Sequence, residues 1–387
     1  MECCHIANLY EQMKTIKNKH GMINHQSLNL SSPPLKMGDV IGEGKYRIIS
    51  DTKNAGGFGR IYRAKVVRSS YRHNINRIVA IKEFHIHEFA QDSTSSLLSS
   101  DISESTRHQS MKILLEQFRI ESKILHELSK QRDCHIPQLY HSAKIDQGRY
   151  FYAMNYIDGP TLTEVINEHG AMKEDVAVGY IAQIAKVLYK AHRWNLLHND
   201  ISPNNIMLEN GIAVLVDFGN ARGYTDILQR KGDTQEMIQA AEHITKMFSD
   251  IGIGTPCFAA PNESFRGTPQ GDIYSLAATL YFLLTGEKPV VIGGGARTHE
   301  NMENCLAERK ISRTTTKAII HAMTPNIQDC TRDARQFLKE MPNKIVFETL
   351  LNYNDYDYNR RLQGDTEPKP HGHLPDADSR RKNAVRR

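Results

Sequence analysis

A short loop near the middle of the chain carries side chains that could do proton and metal chemistry. The stretch LLHNDISPNNIML, residues 196–208, contains Asp200 and Asn205. Asp200 is a carboxylate able to accept a hydroxyl proton, and Asn205 supplies a neutral oxygen of the kind that Mg²⁺ prefers. A second carboxylate, Asp217, ends the apolar run IAVLV and is closely followed by a glycine. Its position suits a metal ion that bridges phosphates.

Two charged residues lie where the periodicity of the sequence calls for apolar ones. Strand-like alternation between Ile78 and Phe84 places Lys82 on an apolar face. Helical spacing in the run 111–129 places Glu121 on the apolar stripe. A lone buried charge costs roughly several kcal/mol, so we expect Lys82 and Glu121 to meet. The pair is either structural or positions a ligand.

A glycine-rich turn between two strand-like segments could hold an anionic ligand. The stretch NAGGFGRIY begins at Asn54, and its glycines at 56, 57 and 59 would let backbone N–H groups approach phosphate oxygens. The sequence has no Walker-type glycine, lysine and hydroxyl motif. Phosphoryl transfer depends mainly on positioning and charge neutralisation, which the lysine, the carboxylates, Asn205 and this turn supply together.

Composition places the chain among ordinary globular proteins. Its 387 residues leave room for two or three structural units. The net charge of +5 is mild and partly concentrated in the terminal run SRRKNAVRR, so we expect no nucleic-acid partner. Six scattered cysteines without a CxxC pair indicate a reducing, cytoplasmic location. The most apolar helical run, SLAATLYFLLTG, is too short to span a bilayer, and we expect no membrane partner. The sequence does not determine the oligomeric state.

Strands come first along the chain and helices follow, which favours an α+β fold of two unequal lobes. Residues 1–38 are expected to be a flexible extension, 39–158 a strand-rich lobe and 159–345 a helical lobe. The basic tail 346–387 is expected to be disordered at its end. Residues 91–110 are about half Ser and Thr, which is typical of a flexible insertion and makes them candidate phosphorylation sites. An amphipathic helix is predicted to follow, from Met111 to Ser129.

In their order and spacing these residues resemble the eukaryotic-type (Hanks-type) protein kinases. The resemblance extends from about Tyr46 to about Met341. It implies a bilobal protein-kinase-like fold, with a small β-rich N-lobe containing one main helix and a larger, mostly helical C-lobe. The matching segments are NAGGFGRI, VAIK ending at Lys82, Glu121, HND with Asn205, DFG from Asp217, GTPCFAAPN from Gly254 and DIYSL from Asp272.

The resemblance also implies a role for each matching residue. Lys82 would bind the α and β phosphates of ATP and Glu121 would hold it, while Asp200 would be the catalytic base. Asn205 and Asp217 would hold Mg²⁺. The glycine loop covering the phosphates would consist of Asn54, Gly56, Gly57, Phe58 and Gly59.

Further positions follow from the same resemblance. Asn155 to Ile157 would be the hinge whose backbone binds adenine. Asp272 would brace the catalytic loop, and Thr255 matches a residue that orients the base in Ser/Thr-directed members. The remaining adenine-pocket residues would be Ile61, Ala80, Met154 and Met207.

Several positions depart from the family pattern. Asn54 replaces a glycine, and this is a mild change because Asn tolerates positive φ. Asn199 replaces the Arg that reads a phosphate on the activation segment, so we predict activity without that switch. Ser202 replaces a Lys that contacts the transferring phosphate; it can still hydrogen-bond, but losing the cation could cost about 10²-fold in rate. Asn262 replaces a Glu, and Arg332 is its predicted partner.

The activation segment is predicted to be long and to contain an extra helix. It extends from Asp217 to Asn262, and the run DTQEMIQAAEHITKMF at 233–248 has a helical composition.

The favoured function is an active kinase that transfers the γ-phosphate of MgATP to Ser or Thr hydroxyls of a protein substrate, including its own. One alternative is a small-molecule kinase of the aminoglycoside or choline type. The segment GTPCFAAP argues against it, because it resembles a platform for a peptide substrate. Another alternative is a nucleotide-binding pseudokinase that acts as a scaffold.

Overall fold

The computed structural model describes ten ranges of the chain. All of them lie in the first of two compact units, which extends to Asn354. The described ranges are 33–50, 53–55, 59–70, 74–85, 104–130, 135–223, 255, 257–265, 267–289 and 296–342.

An antiparallel sheet of seven strands forms the first lobe. The strand order is β1-β2-β4-β5-β7-β6, with β3 paired to β4. The central strand β5 reads IVAIKEF and is buried along almost its whole length, as its β-branched residues favour. The strands are β1 Val40–Ile41, β2 Tyr46–Ile48, β3 Lys53–Ala55, β4 Gly59–Val66, β5 Ile78–Phe84, β6 Leu139–Asp146 and β7 Arg149–Asn155.

One long helix, α1, spans Glu104–Ser129 and packs against this sheet. The predicted helix began at Met111, so the structure extends it by two turns into the Ser/Thr-rich segment. Phe118 lies against the rings of Phe84 and Tyr152, with centroid distances of 5.6 and 5.0 Å. Because Glu121 follows Phe118 by three residues, it is turned toward the same interior.

The second lobe is mostly helical, as predicted. Helix α4, Pro269–Thr285, is nearly apolar and is buried along most of its length, as expected of a central core helix. It begins after the N-cap Thr268, whose hydroxyl accepts a hydrogen bond from the Gly271 N–H. The helices are α2 Leu162–His169, α3 Glu174–His192, α4 Pro269–Thr285, α5 Ala296–Glu308, α6 Arg313–Ala322 and α7 Ala334–Glu340.

A two-stranded hairpin carries the site residues of this lobe. Strand β8, Ile206–Glu209, pairs antiparallel with β9, Ile212–Leu215. A single 3-10 turn, Pro203–Asn205, precedes β8 directly. The catalytic-loop motif and the DFG motif are therefore brought side by side at one end of the hairpin.

The chain before the sheet is anchored on its outer side. Leu35 is buried, and its N–H donates to the Tyr62 hydroxyl at 3.1 Å. The Tyr62 hydroxyl in turn donates to the buried carboxylate of Glu83 at 2.8 Å, and Arg149 forms an ion pair with the same carboxylate. Burial raises the pKa of Tyr62 to about 12. Since Glu83 directly follows Lys82, this network fixes the strand that carries the lysine.

One predicted contact in the helical lobe is wrong. Arg332 is exposed and pairs with the neighbouring Asp333 at 3.3 Å, rather than with Asn262. The short distance between adjacent residues favours this local pair. The predicted helix at 233–248 lies outside the described residues. Among the helices of the described ranges, none combines the length and the apolar character needed to cross a bilayer.

Candidate active site

A buried lysine joins the two lobes at the centre of the cleft. Lys82 Nζ lies 2.6 Å from Glu121 Oε1 and 3.0 Å from Asp217 Oδ1. The predicted contact between Lys82 and Glu121 is therefore confirmed. Lys82 and Glu121 are 6% and 2% exposed, so each charge depends on the other for compensation. The pair brings one residue of β5 and one of α1 to the end of β9.

The charges of these three groups depend on one another. Burial favours neutral Lys82, but the carboxylates of Asp217 and Glu121 outweigh burial and raise the pKa of Lys82 overall. Burial likewise opposes ionised Asp217, yet Lys82 lowers the pKa of Asp217 overall. Burial raises the pKa of Glu121 despite the lysine beside it. The two carboxylates thus favour the charged form of the lysine, whose ammonium lies between them.

The glycine at the start of β4 leaves room for this lysine. A Cβ placed on Gly59 would lie 3.2 Å from Lys82 Cε and 3.3 Å from the Glu83 carbonyl oxygen. Of the predicted glycine loop, Gly56, Gly57 and Phe58 lie outside the described residues. For Asn54 the structure gives only the backbone, which pairs with Arg60 in the β3–β4 ladder.

The carboxylate of Asp200 is held by neutral donors on both oxygens. Thr255 donates to Oδ1 twice, through its N–H at 2.9 Å and its hydroxyl at 2.8 Å. Asn205 Nδ2 donates to Oδ2 at 3.0 Å, and Asn220 Nδ2 donates to the same oxygen at 3.3 Å. The structure therefore brings Thr255 to Asp200, as the resemblance implies, and it also brings Asn205 to the same carboxylate.

A buried aspartate on α4 holds the backbone of the catalytic loop. Asp272 accepts hydrogen bonds from the N–H groups of His198 at 2.9 Å and Asn199 at 2.8 Å. His192 on α3 lies 2.9 Å from the same carboxylate. Burial by itself would raise the pKa of Asp272, but His192, His198 and the loop N–H lower it overall. The loop is thus anchored to the most buried helix of the lobe.

Asn205 and Asp217 have oxygens suited to a metal ion. The Val216 N–H donates to the Asn205 carbonyl at 2.9 Å, which holds the two residues at neighbouring ends of the hairpin. Asp217 Oδ1 accepts from Lys82 and from the Gly219 N–H at 3.2 Å. Within the described residues, Asp217 Oδ2 and Asn205 Oδ1 accept no hydrogen bond, so both oxygens remain for a hard cation such as Mg²⁺.

The predicted adenine-pocket residues lie on neighbouring strands of the sheet and on the hairpin of the second lobe. Ala80 is opposite Met154 in the β5–β7 register, and Ile61 is opposite Lys82 in the β4–β5 register. Ile157 packs with Met207 in a small apolar cluster on the hairpin. Asn155 is tied to the start of β6, because its N–H donates to the Gln138 carbonyl at 2.9 Å.

Ser202 does not occupy an open position in the cleft. The residue is fully buried, and its hydroxyl has no hydrogen-bond partner within the described part of the chain. Such burial gives no support to a contact with a transferring phosphate.

Sequence reasoning missed three residues at the site. Asn220 contacts Asp200, Gln117 donates to the Gly219 carbonyl, and Arg63 stacks on the Tyr156 ring of the hinge, 4.8 Å from its centroid. Only Asn220 left a signal in the sequence, since it directly follows the DFG motif. The other two are brought in by the register of α1 and β4.

Comparison with known proteins agrees with this geometry. The family model described as "Protein kinase domain" matches residues 36–347. The serine/threonine-protein kinase PknA of Nostoc sp. is 27% identical over 79% of this chain and 48% of its own length. PknL of Mycobacterium tuberculosis is 30% identical over 45% of this chain and 39% of its own length.

The fold also matches a solved structure. That structure, titled "Crystal structure of Rad53 1-466 in complex with AMP-PNP", has a TM-score of 0.50 and 18% identity. The match covers 78% of this chain and 66% of that one. The chain spans about half or less of the length of the curated relatives described above.

Proposed function

The chain belongs to the protein kinase domain family, and we propose that it transfers the γ-phosphate of MgATP to Ser or Thr hydroxyls of a protein substrate. The observation that carries this proposal is the arrangement around Lys82. This buried cation joins Glu121 to Asp217, while Asp200 is held by neutral donors in the loop that precedes the hairpin. Relatives named as serine/threonine-protein kinases support the choice of acceptor.

The residues of the cleft divide the work of transfer. In the reaction, a substrate hydroxyl oxygen bonds to the γ-phosphorus while the bond from that phosphorus to the β–γ bridging oxygen breaks, releasing ADP. The hydroxyl proton passes to a carboxylate oxygen of Asp200. Lys82 binds the phosphates with a fixed positive charge, and Glu121 keeps its ammonium in place. The hydrogen bonds from Thr255 orient the base toward the acceptor.

Asn205 and Asp217 would hold Mg²⁺ through the side-chain oxygens that the described residues leave without a hydrogen bond. When bound, the ion would neutralise phosphate charge. In this proposal the predicted glycine loop, residues 54–59, covers the phosphates of ATP.

Autophosphorylation and a cytoplasmic location are also part of the proposal. The Ser/Thr-rich segment 91–110, within the predicted N-lobe, supplies candidate hydroxyl groups for phosphorylation. The described cysteines 257, 305 and 330 are free thiols, which suits a reducing compartment.

One assay tests the function directly. Purified protein is incubated with γ-labelled ATP, Mg²⁺ and a general acceptor such as dephosphorylated casein, beside Asp200→Asn and Lys82→Met. Exposed positions provide matched controls, Asp175→Asn and Lys130→Met. We expect label with the wild type and both controls, and none with the two site variants. Equal label with all five proteins would contradict the proposal.

The same assay separates the alternatives. Mass-spectrometric mapping of the product distinguishes Ser and Thr from Tyr and reveals any sites within 91–110. Transfer only to an aminoglycoside or to choline would favour a small-molecule kinase. Nucleotide binding without any transfer would favour a pseudokinase scaffold.

A further inference from the structure

One donor to the catalytic base comes from a residue with no role in the mechanism above. Asp200 Oδ2 accepts from Asn205, a candidate metal ligand, and from Asn220, which lies just after the DFG motif. A carboxylate oxygen can only accept, so the amide of Asn220 must present its NH₂ group to it. The described structure therefore connects the base to the first residue of the segment that follows Gly219.

The backbone of Asn220 is itself held from the opposite strand. Asn199 Nδ2 donates to the Asn220 carbonyl at 3.2 Å. Asn199 thus lies next to the base in the sequence, and its side chain holds the segment after the DFG motif through a hydrogen bond.

A short antiparallel bridge explains why these two asparagines face each other. The Leu197 and Arg222 backbones exchange two hydrogen bonds, each of 2.8 Å. In an antiparallel register the next hydrogen-bonded pair lies two residues forward on one segment and two residues back on the other, which is Asn199 opposite Asn220.

The backbone of Asn199 cannot complete that second pair. Its φ is +61°, in the left-handed region that Asn tolerates, and its N–H is already donated to Asp272 at 2.8 Å. The side-chain amide supplies the missing donor instead. The fold therefore replaces one rung of the bridge with an amide contact.

We propose that Asn199 and Asn220 form an amide latch that positions Asp200. The latch runs from Asp272 on α4 through Asn199 and Asn220 to the base. Every hydrogen bond from Asn199 onward is donated by an uncharged group, so the latch needs no phosphate and no cation to close. Both asparagines are positioning residues, and the inference rests on the proposed function.

The first test removes the amide that reaches the base. Asn220→Ala is expected to lower kcat about tenfold, because a misplaced base slows transfer, with KM for ATP within about twofold of wild type. Asn220→Leu has a similar size without a donor and should show the same loss. Asn326→Ala is the matched control, since Asn326 also donates to an aspartate, Asp329, but at the surface, at 2.6 Å.

The second test removes the grip on the backbone. Asn199→Gly keeps the left-handed conformation at little cost and deletes only the side-chain amide. We therefore expect kcat to fall about fivefold. Asn210→Gly is its control, because Asn210 has a φ of +53° in an exposed turn. The double variant Asn199→Gly/Asn220→Ala should lose no more than Asn220→Ala alone, as expected of two groups in one path.

The outcomes distinguish the latch from a structural role and from a failure of the proposed function. An unchanged kcat in Asn220→Ala and Asn220→Leu, with an active wild type, would overturn the latch and leave the function standing. The latch would also be overturned if the variants that lose kcat also lose thermal stability, shown by a lower thermal midpoint than their controls. It would be overturned as well if the double variant lost the product of the two single-variant fold-changes in kcat. A wild type without transfer to casein or to itself would overturn the function, and the latch with it.

Discussion

At the scale of single residues, the cleft holds its two aspartates by different means. Asp217 faces a cation, Lys82, which compensates its charge and lowers its pKa. Asp200 is held by N–H and O–H donors without a positive charge among its described hydrogen-bond partners. Both carboxylate oxygens are therefore fixed in position by hydrogen bonds, as a general base requires if it is to meet the acceptor hydroxyl.

The hydroxyl of Thr255 provides a residue-scale prediction. Thr255→Val removes the hydroxyl donor at 2.8 Å from Asp200 but keeps the backbone N–H and the side-chain shape. A hydrogen bond to a charged group contributes about 1.5–3 kcal/mol, so kcat should fall by about ten- to a hundredfold. Thr255→Ser retains the donor and should stay within about threefold of wild type. Equal rates for the Val and Ser variants in steady-state transfer to casein would exclude this role.

At the scale of elements, the catalytic loop depends on helix α4 and on one close backbone crossing. Asp272 accepts the loop N–H groups, while Gly223 passes against the chain at Asn195. The contact at Asp272 is buried inside the helical lobe, and the crossing at Gly223 lies closer to the surface of that lobe. Substitutions at these contacts should therefore lower the free energy of unfolding more than they weaken nucleotide binding.

Asp272 gives a prediction about pH. Its pKa is lower in the folded protein than the ordinary value of 3.8, because hydrogen bonds and nearby imidazoles outweigh burial. Its contribution to stability is therefore present above that value and is lost as the pH falls through the folded-state pKa. Asp272→Asn should lower the free energy of unfolding at pH 7 by about 3 kcal/mol and flatten its decline below about pH 4.

Urea denaturation at several pH values would measure both effects. The exposed variant Asp175→Asn serves as the control. A variant curve parallel to that of wild type across the acid range would show that Asp272 does not carry the linkage.

Two glycines with positive φ provide a contrast for stability. Gly223 has a φ of +80°, and a Cβ there would lie 1.7 Å from the Asn195 carbonyl oxygen. Gly286 has a φ of +76° and a ψ of 0°, the left-handed conformation, and such a Cβ would lie 3.9 Å from its nearest neighbour, the Ala171 backbone nitrogen. Gly286→Ala should cost only the left-handed conformation, about 1 kcal/mol, whereas Gly223→Ala should cost more than about 3 kcal/mol. Similar thermal midpoints for the two variants would contradict the crossing seen here.

At the scale of the whole molecule, an ion pair at the site connects the two lobes. Lys82 belongs to the sheet and Asp217 to the hairpin of the helical lobe, and their side chains lie 3.0 Å apart. A ligand that engages both should stabilise the folded chain as one unit.

Nucleotide binding therefore provides a whole-molecule prediction. At a hundredfold excess over Kd, MgATP should raise the free energy of unfolding by about 2.7 kcal/mol, seen as a higher thermal midpoint. Chelation of Mg²⁺ with EDTA, or Lys82→Met, should remove most of this gain, because charge neutralisation is lost. Lys130→Met is the control, and an equal gain in all proteins, with or without EDTA, would contradict the assignment.

The pairing of Lys82 with Glu121 could be predicted because each charged residue occupies a position where the periodicity of the sequence calls for an apolar one. The order of strands before helices likewise predicted two lobes. The partner of Arg332 could not be predicted, because a local pair with Asp333 competes with any distant one. The early start of α1 was missed because Ser- and Thr-rich composition, without periodicity, favours a loop over a helix.

By itself the sequence determined which groups are available: Lys82, Glu121, Asp200, Asn205 and Asp217, in the order of the protein kinases. Only the tertiary structure decided how Asp200 is held, through Thr255, Asn220 and the register set by Leu197 and Arg222. The physical reason is that residue types and periodicity reveal burial and charge. A hydrogen bond between distant loops depends instead on backbone conformations, such as the left-handed Asn199, that are formed only when the lobe has packed.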